Sequence, residues 1–180
     1  MVGVVDAAVA LLGEEGLNGL SLRRLAGRLH IRAPSLYSHV PDKATLLSAV
    51  MEQVFGDCVR SLEPHEHWQE WMREFAATLW RTQEGVRDFG RLLISTPMDE
   101  VQVQRVEQLL SSRLSNLDIP LAEAMRIQGS VQVLVTGWFI FGHTPFSPAL
   151  SRRMDFRKRA MHDIELLLEG EARRLHVRER

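Results

Sequence analysis

Apolar side chains recur along this chain at i, i+3, i+4 and i+7, and no segment alternates apolar with polar as a strand would. The spacing predicts a first helix over 2–14, with Val5, Ala8, Val9 and Leu12 inside and Gly16 as its stop. Leu22, Leu25, Ala26 and Leu29 predict a second over 22–29, with Ser21 as N-cap. A turn at 30–32 leads to a third helix from Ala33. Pro34 suits a first turn, and Pro41 pushes Val40 out of helical geometry, so this helix has about seven residues and is roughly 10 Å long.

Downstream the same period predicts helices over 42–62, 65–81, 86–94, 99–116, 120–142 and 154–176, with a loop at 143–151 and fraying at 177–180. The helix from Asp42 carries Leu47, Val50, Met51, Val54 and Cys58 on one side. The next aligns Trp68, Trp71, Met72, Phe75 and Leu79. Val106, Leu109, Leu110, Leu114 and Leu117 form the face of the 99–116 helix, and Met161, Ile164, Leu168 and Leu175 the seam of the last. The second half of 120–142 is apolar almost all round, the mark of a helix buried on several sides. The fold class expected is all-α, with about nine or ten helices: an N-terminal three-helix, helix-turn-helix domain over 1–45 and a C-terminal helical bundle over 46–180.

The third helix turns Ala33, Leu36 and Val40 inward and leaves Pro34, Ser35, Tyr37 and Ser38 outward, with His39 at the border. Small hydroxyls and a tyrosine, rather than Lys and Glu, form a surface that can lie flush against something anionic. Over 21–45 the bases Arg23, Arg24, Arg28, Arg32 and Lys43 face the single acid Asp42, a local excess of four positive charges in a chain of net charge −1. Such a local excess is the footprint of a phosphate-contacting face. The helix length also matches a major groove about 12 Å wide. A helical hairpin inside a generic bundle is the plainer alternative.

The residues VVDAAVALLGEEGLNGLSLRRLA followed by LHIRAPSLYSHVPDKATLL resemble the DNA-binding domain of TetR-family transcriptional regulators. The pair Leu36–Tyr37, set before His39 and Lys43 in a helix opened by a proline, is particularly close to the tetracycline-repressor branch. The resemblance implies base contacts from Arg32, Pro34, Ser35, Tyr37 and Ser38, and phosphate contacts from Ser21, Arg23, Tyr37, His39 and Lys43. Arg24 and Arg28 read equally well as solvated charges. Two departures stand out: Ser38 replaces a bulky aromatic and Ala33 a longer amide, so the operator preferred should differ.

The resemblance also implies a homodimer on a pseudo-palindromic operator of double-stranded DNA, and a small-molecule effector held by the C-terminal helices. A pair of apolar helices near the C-terminus, each with more apolar face than one small bundle hides, fits a four-helix bundle made with a second copy. Trp68, Trp71, Phe75, Trp80, Phe89 and Trp138 are either core or the lining of a ligand pocket. Thr78, Asp88, Gln128, Gln132 and Thr136 are the polar residues set among apolar neighbours. Gln132 is the most isolated of them, and a hydrogen bond across a dimer interface would account for it as well. The ligand-binding candidates are thus Trp68, Trp71, Phe75, Phe89, Gln128, Gln132 and Trp138.

Composition narrows the classes. At 180 residues and 45% apolar the chain can bury a sizeable core. One cysteine, Cys58, excludes an intramolecular disulfide and reads as a small buried group. The longest apolar run, 131–141, is shorter than the roughly 20 residues of a membrane span. No basic n-region opens the chain, so a soluble cytoplasmic protein with no membrane partner is expected. His65 and His67 lie two apart on a helix and face different ways, so no metal site is expected, and no cofactor. Paired carboxylates, a nucleophile–base set and a phosphate loop are all missing, which speaks against an enzyme. The expected function is a ligand-responsive DNA-binding regulator, with a non-catalytic small-molecule carrier or an effector-independent regulator as alternatives.

Overall fold

The computed structural model describes residues 2–145 and 147–178, with the side chains of 2, 177 and 178 outside the description. The described residues form ten helices and no strand. They fall into two compact units: residues up to Arg60 with Thr82–Glu107, and Ser61–Arg81 with the residues from Gln108 on.

In the first unit α1 (Val2–Gly19) buries Val5, Ala8, Leu11 and Leu12. Val9, expected inside, is only half-buried, and Leu11 takes its place on the inner face. Gly16 is left-handed, φ 71°, where a stop was expected, but the chain resumes a final helical turn as far as Gly19. Helix α2 (Leu22–Arg28) is capped by Ser21, whose Oγ accepts from Arg24 N–H at 3.3 Å. It ends as Ile31 N–H donates to Ala26 O and His30 N–H to Gly27 O, with His30 left-handed at φ 54°.

Helix α3 (Ala33–Tyr37) has Pro34 in its first turn and is five residues long, shorter than expected, because Ser38 and His39 pass into a turn before Pro41. Helix α4 (Lys43–Arg60) is capped by Asp42, whose Oδ1 accepts from Thr45 N–H at 2.7 Å. That hydrogen bond holds the Asp42 carboxyl below its usual range. The buried face of α4 is Leu46, Val50, Met51, Val54, Phe55, Cys58 and Val59, so Leu46 rather than the expected Leu47 opens it.

Helix α5 (Trp68–Gly85) begins three residues later than expected because Asp118 receives the Trp68 N–H at 2.9 Å and fixes the first turn there. Trp68, Trp71, Met72, Phe75 and Leu79 are all buried, as the spacing predicted. Helix α6 (Phe89–Ser95) follows a left-handed Asp88, φ 60°. Helix α7 (Glu100–Leu114) opens with Asp99 and Gln102 capping each other's backbone N–H at 2.8 and 3.0 Å.

The second unit also holds α8 (Leu121–Gly142), α9 (Ser147–Leu150) and α10 (Phe156–Arg178). The short α9 lies within the segment expected to be loop, and the expected fraying at 177–180 falls largely outside the described residues. Helices α8 and α10 pack along their length. Ala160, Ile164 and Leu168 are buried, and Trp138 Nε1–H donates to Asp163 at 3.0 Å. A Cβ at Gly142 would sit 3.1 Å from the Phe156 ring and would press it back by a few tenths of an ångström, so these helices meet closely there. At the other end Arg126 and Arg174 both bond Glu123 and Glu171. The arginines, Arg174 first, hold the Glu123 carboxyl down at about 2.

The second half of α8 is not buried on several sides. Val131 and Val135 are, but Val133 is 71% exposed and Phe141 43%. An apolar helix with an open side has surplus face, and its period alone does not tell a buried side from an open one.

Candidate nucleic-acid interface and ligand site

Two local rules build the first site. The prolines at 34 and 41 bound a rod too short to stand alone, and Leu36 and Val40, 0% and 3% exposed, fasten it. Everything else on that rod is then free to face outward. Pro34, Ser35, Tyr37, Ser38 and His39 are exposed, as are Arg32, Arg23 and Lys43, while Ser21 is half-buried in its capping role. The Ser38 hydroxyl donates to Ser35 O at 2.8 Å and retains its lone pairs for a further donor. Tyr37, the chain's one tyrosine, is 49% exposed.

The basic residues of this segment divide into two kinds. Arg28 pairs with Glu14 fork to fork, and Arg24 pairs with Glu15, both acids lying on α1. The Glu14 bond raises the Arg28 pKa, and the Arg28 bond lowers that of Glu14. These two cations dock α2 on α1. Arg23 and Arg32 have no acidic partner among the described residues and keep their charge for an outside anion. Lys43 donates to Leu17 O at 3.0 Å, which occupies one of its three N–H bonds and aims the rest outward.

The expected ligand residues are not gathered in one place. Trp71 and Phe75 stack, ring centres 5.3 Å apart, in the core of the second unit, with Trp68 buried on the same helix. Trp80 meets Phe139 edge to face at 5.3 Å, which brings α5 against α8. Gln128 Nε2 donates to Gln132 Oε1 at 2.9 Å. Thr136 continues that line one turn on, buried, with its hydroxyl unpartnered. Gln128, Gln132 and Thr136 therefore make a polar stripe at i, i+4, i+8 along an otherwise apolar helix.

Trp138 stands apart, packed with Phe141 and Phe156 and beneath the Arg159 guanidinium. With Val133, Leu134, Gly137 and Phe141 it lines an open apolar groove of about 410 Å³. Phe89 is fully buried in the first unit, whereas the other six candidates belong to the second.

Asp88, read from sequence as a polar residue among apolar neighbours, turns out to accept Leu17 N–H at 2.9 Å, across 71 residues of sequence. No local signal reveals such a contact; the left-handed Gly16 beside it was the nearest clue. The histidines at 65 and 67 are engaged by acids. His65 pairs with Glu74 at 2.5 Å, and His67 with Asp118 at 2.9 Å. No group of three or more metal-ligating side chains occurs among the described residues, and no described helix is long and apolar enough to cross a membrane.

Residues 4–50 match the family model described as bacterial regulatory proteins, tetR family. The chain is 36% identical over 115 residues to the tetracycline repressor protein class D of Escherichia coli, a match covering 63% of this chain and 53% of that one. It is 34% identical over 136 residues to the class E protein of Escherichia coli, covering 74% and 64%. The chain thus spans about half to two thirds of the length of these relatives. Among solved structures, a TetR variant from Acinetobacter baumannii AYE in complex with minocycline superposes with a TM-score of 0.72 at 25% identity, over 94% of both chains. The exposed five-residue helix, the cations around it and these likenesses agree: residues 4–50 are a domain of the tetR family of bacterial regulatory proteins, and the chain as a whole has the fold of the TetR structure it resembles.

Proposed function

We propose that this chain is a homodimeric, effector-responsive repressor of transcription that binds a pseudo-palindromic DNA operator through α3. The observation that carries the reading is the exposed face of α3, fastened from behind by Leu36 and Val40 and flanked by the unpaired cations Arg23 and Arg32. In that reading Arg32, Pro34, Ser35, Tyr37 and Ser38 meet base edges and nearby sugar, and Ser21, Arg23, Tyr37, His39 and Lys43 meet phosphates. Two copies place their α3 helices in successive major grooves, about 34 Å apart. The functional division is 1–45 for DNA and 46–180 for effector and dimer, a division of tasks rather than of compact units.

The open apolar groove on α8 is the surface a second copy covers, since the exposed Val133 and Phe141 beside the half-buried Trp138 lose water only against another apolar face. The effector is held in the second unit by α5 and α8, where Trp71 and Phe75 supply flat apolar walls and the Gln128–Gln132–Thr136 stripe supplies hydrogen bonds. The relatives named as tetracycline repressors, and the TetR complex with minocycline, support a small-molecule effector of some kind. Its binding changes the separation of the two reading helices and loosens one half-site, to the extent that it favours one state over the other.

The test is a mobility-shift titration of the purified protein on DNA carrying an inverted repeat from beside its own gene, across salt concentrations. Specific retardation that weakens steeply with salt supports the reading. A protein that shifts no such fragment at any salt refutes it.

A further inference from the structure

We propose that Asp88 is a positioning residue for the DNA-reading head, acting through Leu17; this rests on the DNA-binding reading above. Two residues with left-handed backbones, Gly16 at φ 71° and Asp88 at φ 60°, meet face to face. A Cβ on Gly16 would lie 2.7 Å from Asp88 Oδ2 and 3.0 Å from Arg87 Nε, so the approach needs glycine both for its backbone and for its missing side chain. Strained conformations of this kind persist where the surroundings over-determine them, and they gather at functional contacts.

The contact grips the short stretch of α1 on which the reading head hangs. Asp88 Oδ2 accepts the Leu17 N–H at 2.9 Å, and Arg87 Nη1 donates to Glu14 O at 3.3 Å. From the other side, Lys43 donates to Leu17 O at 3.0 Å, and Arg28 of α2 is held by the Glu14 carboxylate at 2.6 and 2.8 Å. Residues 14–17 are therefore tied on one side to the turn at 87–88, and on the other to α2 and to the first residue of α4. Helix α3 lies between those two attachments in sequence. Holding both of its flanks holds its angle. If the turn at 87–88 shifts, Leu17 shifts, and the ammonium that meets a phosphate beside α3 loses its seat.

Asp88→Gly and Asp88→Asn separate the hydrogen bond from the backbone requirement, because glycine and asparagine both tolerate the left-handed conformation and only asparagine keeps an acceptor. Operator affinity in Asp88→Gly falls roughly tenfold, the bond lost being one to a charged acceptor, and in Asp88→Asn, which keeps a neutral acceptor, it falls by clearly less. Amide hydrogen exchange, which needs no DNA, quickens at Leu17 and across 33–43 in the glycine variant and not in the asparagine variant. Glycine and asparagine variants that match each other in exchange over these residues overturn the proposal, whatever their thermal midpoints. If the parent binds no operator, the DNA reading fails by itself, and the exchange comparison still decides whether Asp88 positions the head.

Discussion

Arg28 on α2 and Glu14 on α1 face each other as two forks, Nη1 to Oε2 at 2.6 Å and Nη2 to Oε1 at 2.8 Å. The basic character of the segment 21–45 is for this reason smaller than its residue count suggests. Two of its five cations are neutralised by α1 and serve to dock one helix on another.

That division predicts different outcomes for arginines a few residues apart. Arg32→Ala removes a cation with no partner, so operator affinity drops and the slope of log affinity against log salt falls by about one. Arg28→Ala removes one already paired, so the slope stays near that of the parent and the thermal midpoint falls slightly. Footprinting or fluorescence anisotropy at several salt concentrations reads both, and equal slopes for the two variants would contradict the pairing argument.

Tyr37 is half exposed on a helix that Leu36 already anchors. Tyr37→Ala weakens operator binding by about 1–3 kcal/mol. Sedimentation of the variant matches that of the parent, because the residue has no part in the α8 groove. A mobility shift indistinguishable from the parent's removes Tyr37 from the interface.

Val133 is 71% exposed beside the groove on α8, so a charge there is harmless to the isolated fold. Val133→Glu yields a monomer by light scattering with unchanged helicity, and operator affinity falls because one half-site alone is held. A dimer of parental stability would show that the second copy sits elsewhere.

The start of α5 depends on pH. The Asp118 carboxylate raises the His67 pKa above its ordinary 6.5. Burial pushes the Asp118 carboxyl up, but the bonds from His67 and from Trp68 N–H outweigh it and leave it below its usual value. The raised His67 pKa means the pair contributes fully below about pH 6.5 and fades as pH climbs through the folded value, while the lowered Asp118 pKa sets the acid limit, the contribution being lost as pH falls through the folded carboxyl value. The thermal midpoint of the parent exceeds that of His67→Gln at mildly acidic pH, and the two converge as pH rises. A gap independent of pH would mean that the pair carries no protonation-linked stability.

How far the fold could be read from the residues depended on the range of the interactions. Helix α3 was legible because its determinants are neighbours: Pro34, Leu36, Val40 and Pro41 lie within eight positions. The buried stripe of α5 was legible because five bulky residues repeat at one helical period. The open side of α8 was not, since an all-apolar run has the same periodicity whether protein, a second copy or solvent lies against it. The late start of α5 was hidden too, because the group that fixes it, Asp118, comes 50 residues later. Among the site residues, the exposure of Tyr37 and Ser38 followed from local spacing. The role of Asp88 toward Leu17 could not, because it depends on two distant turns closing on each other.

The shortness of α3 has a consequence for how such a protein changes over generations. One leucine inside the helix and one valine just past it hold it in place, and of the outward side chains around them only Pro34 and Ser38, whose hydroxyl bonds Ser35 O, take part in the local structure. Those two aside, the outward positions can be exchanged without endangering the molecule, so on the proposed DNA-binding reading operator choice can drift or be redesigned residue by residue. Leu36 has no such liberty: an alteration there removes the anchor of the helix and is lost as misfolding, whatever the outward face contacts.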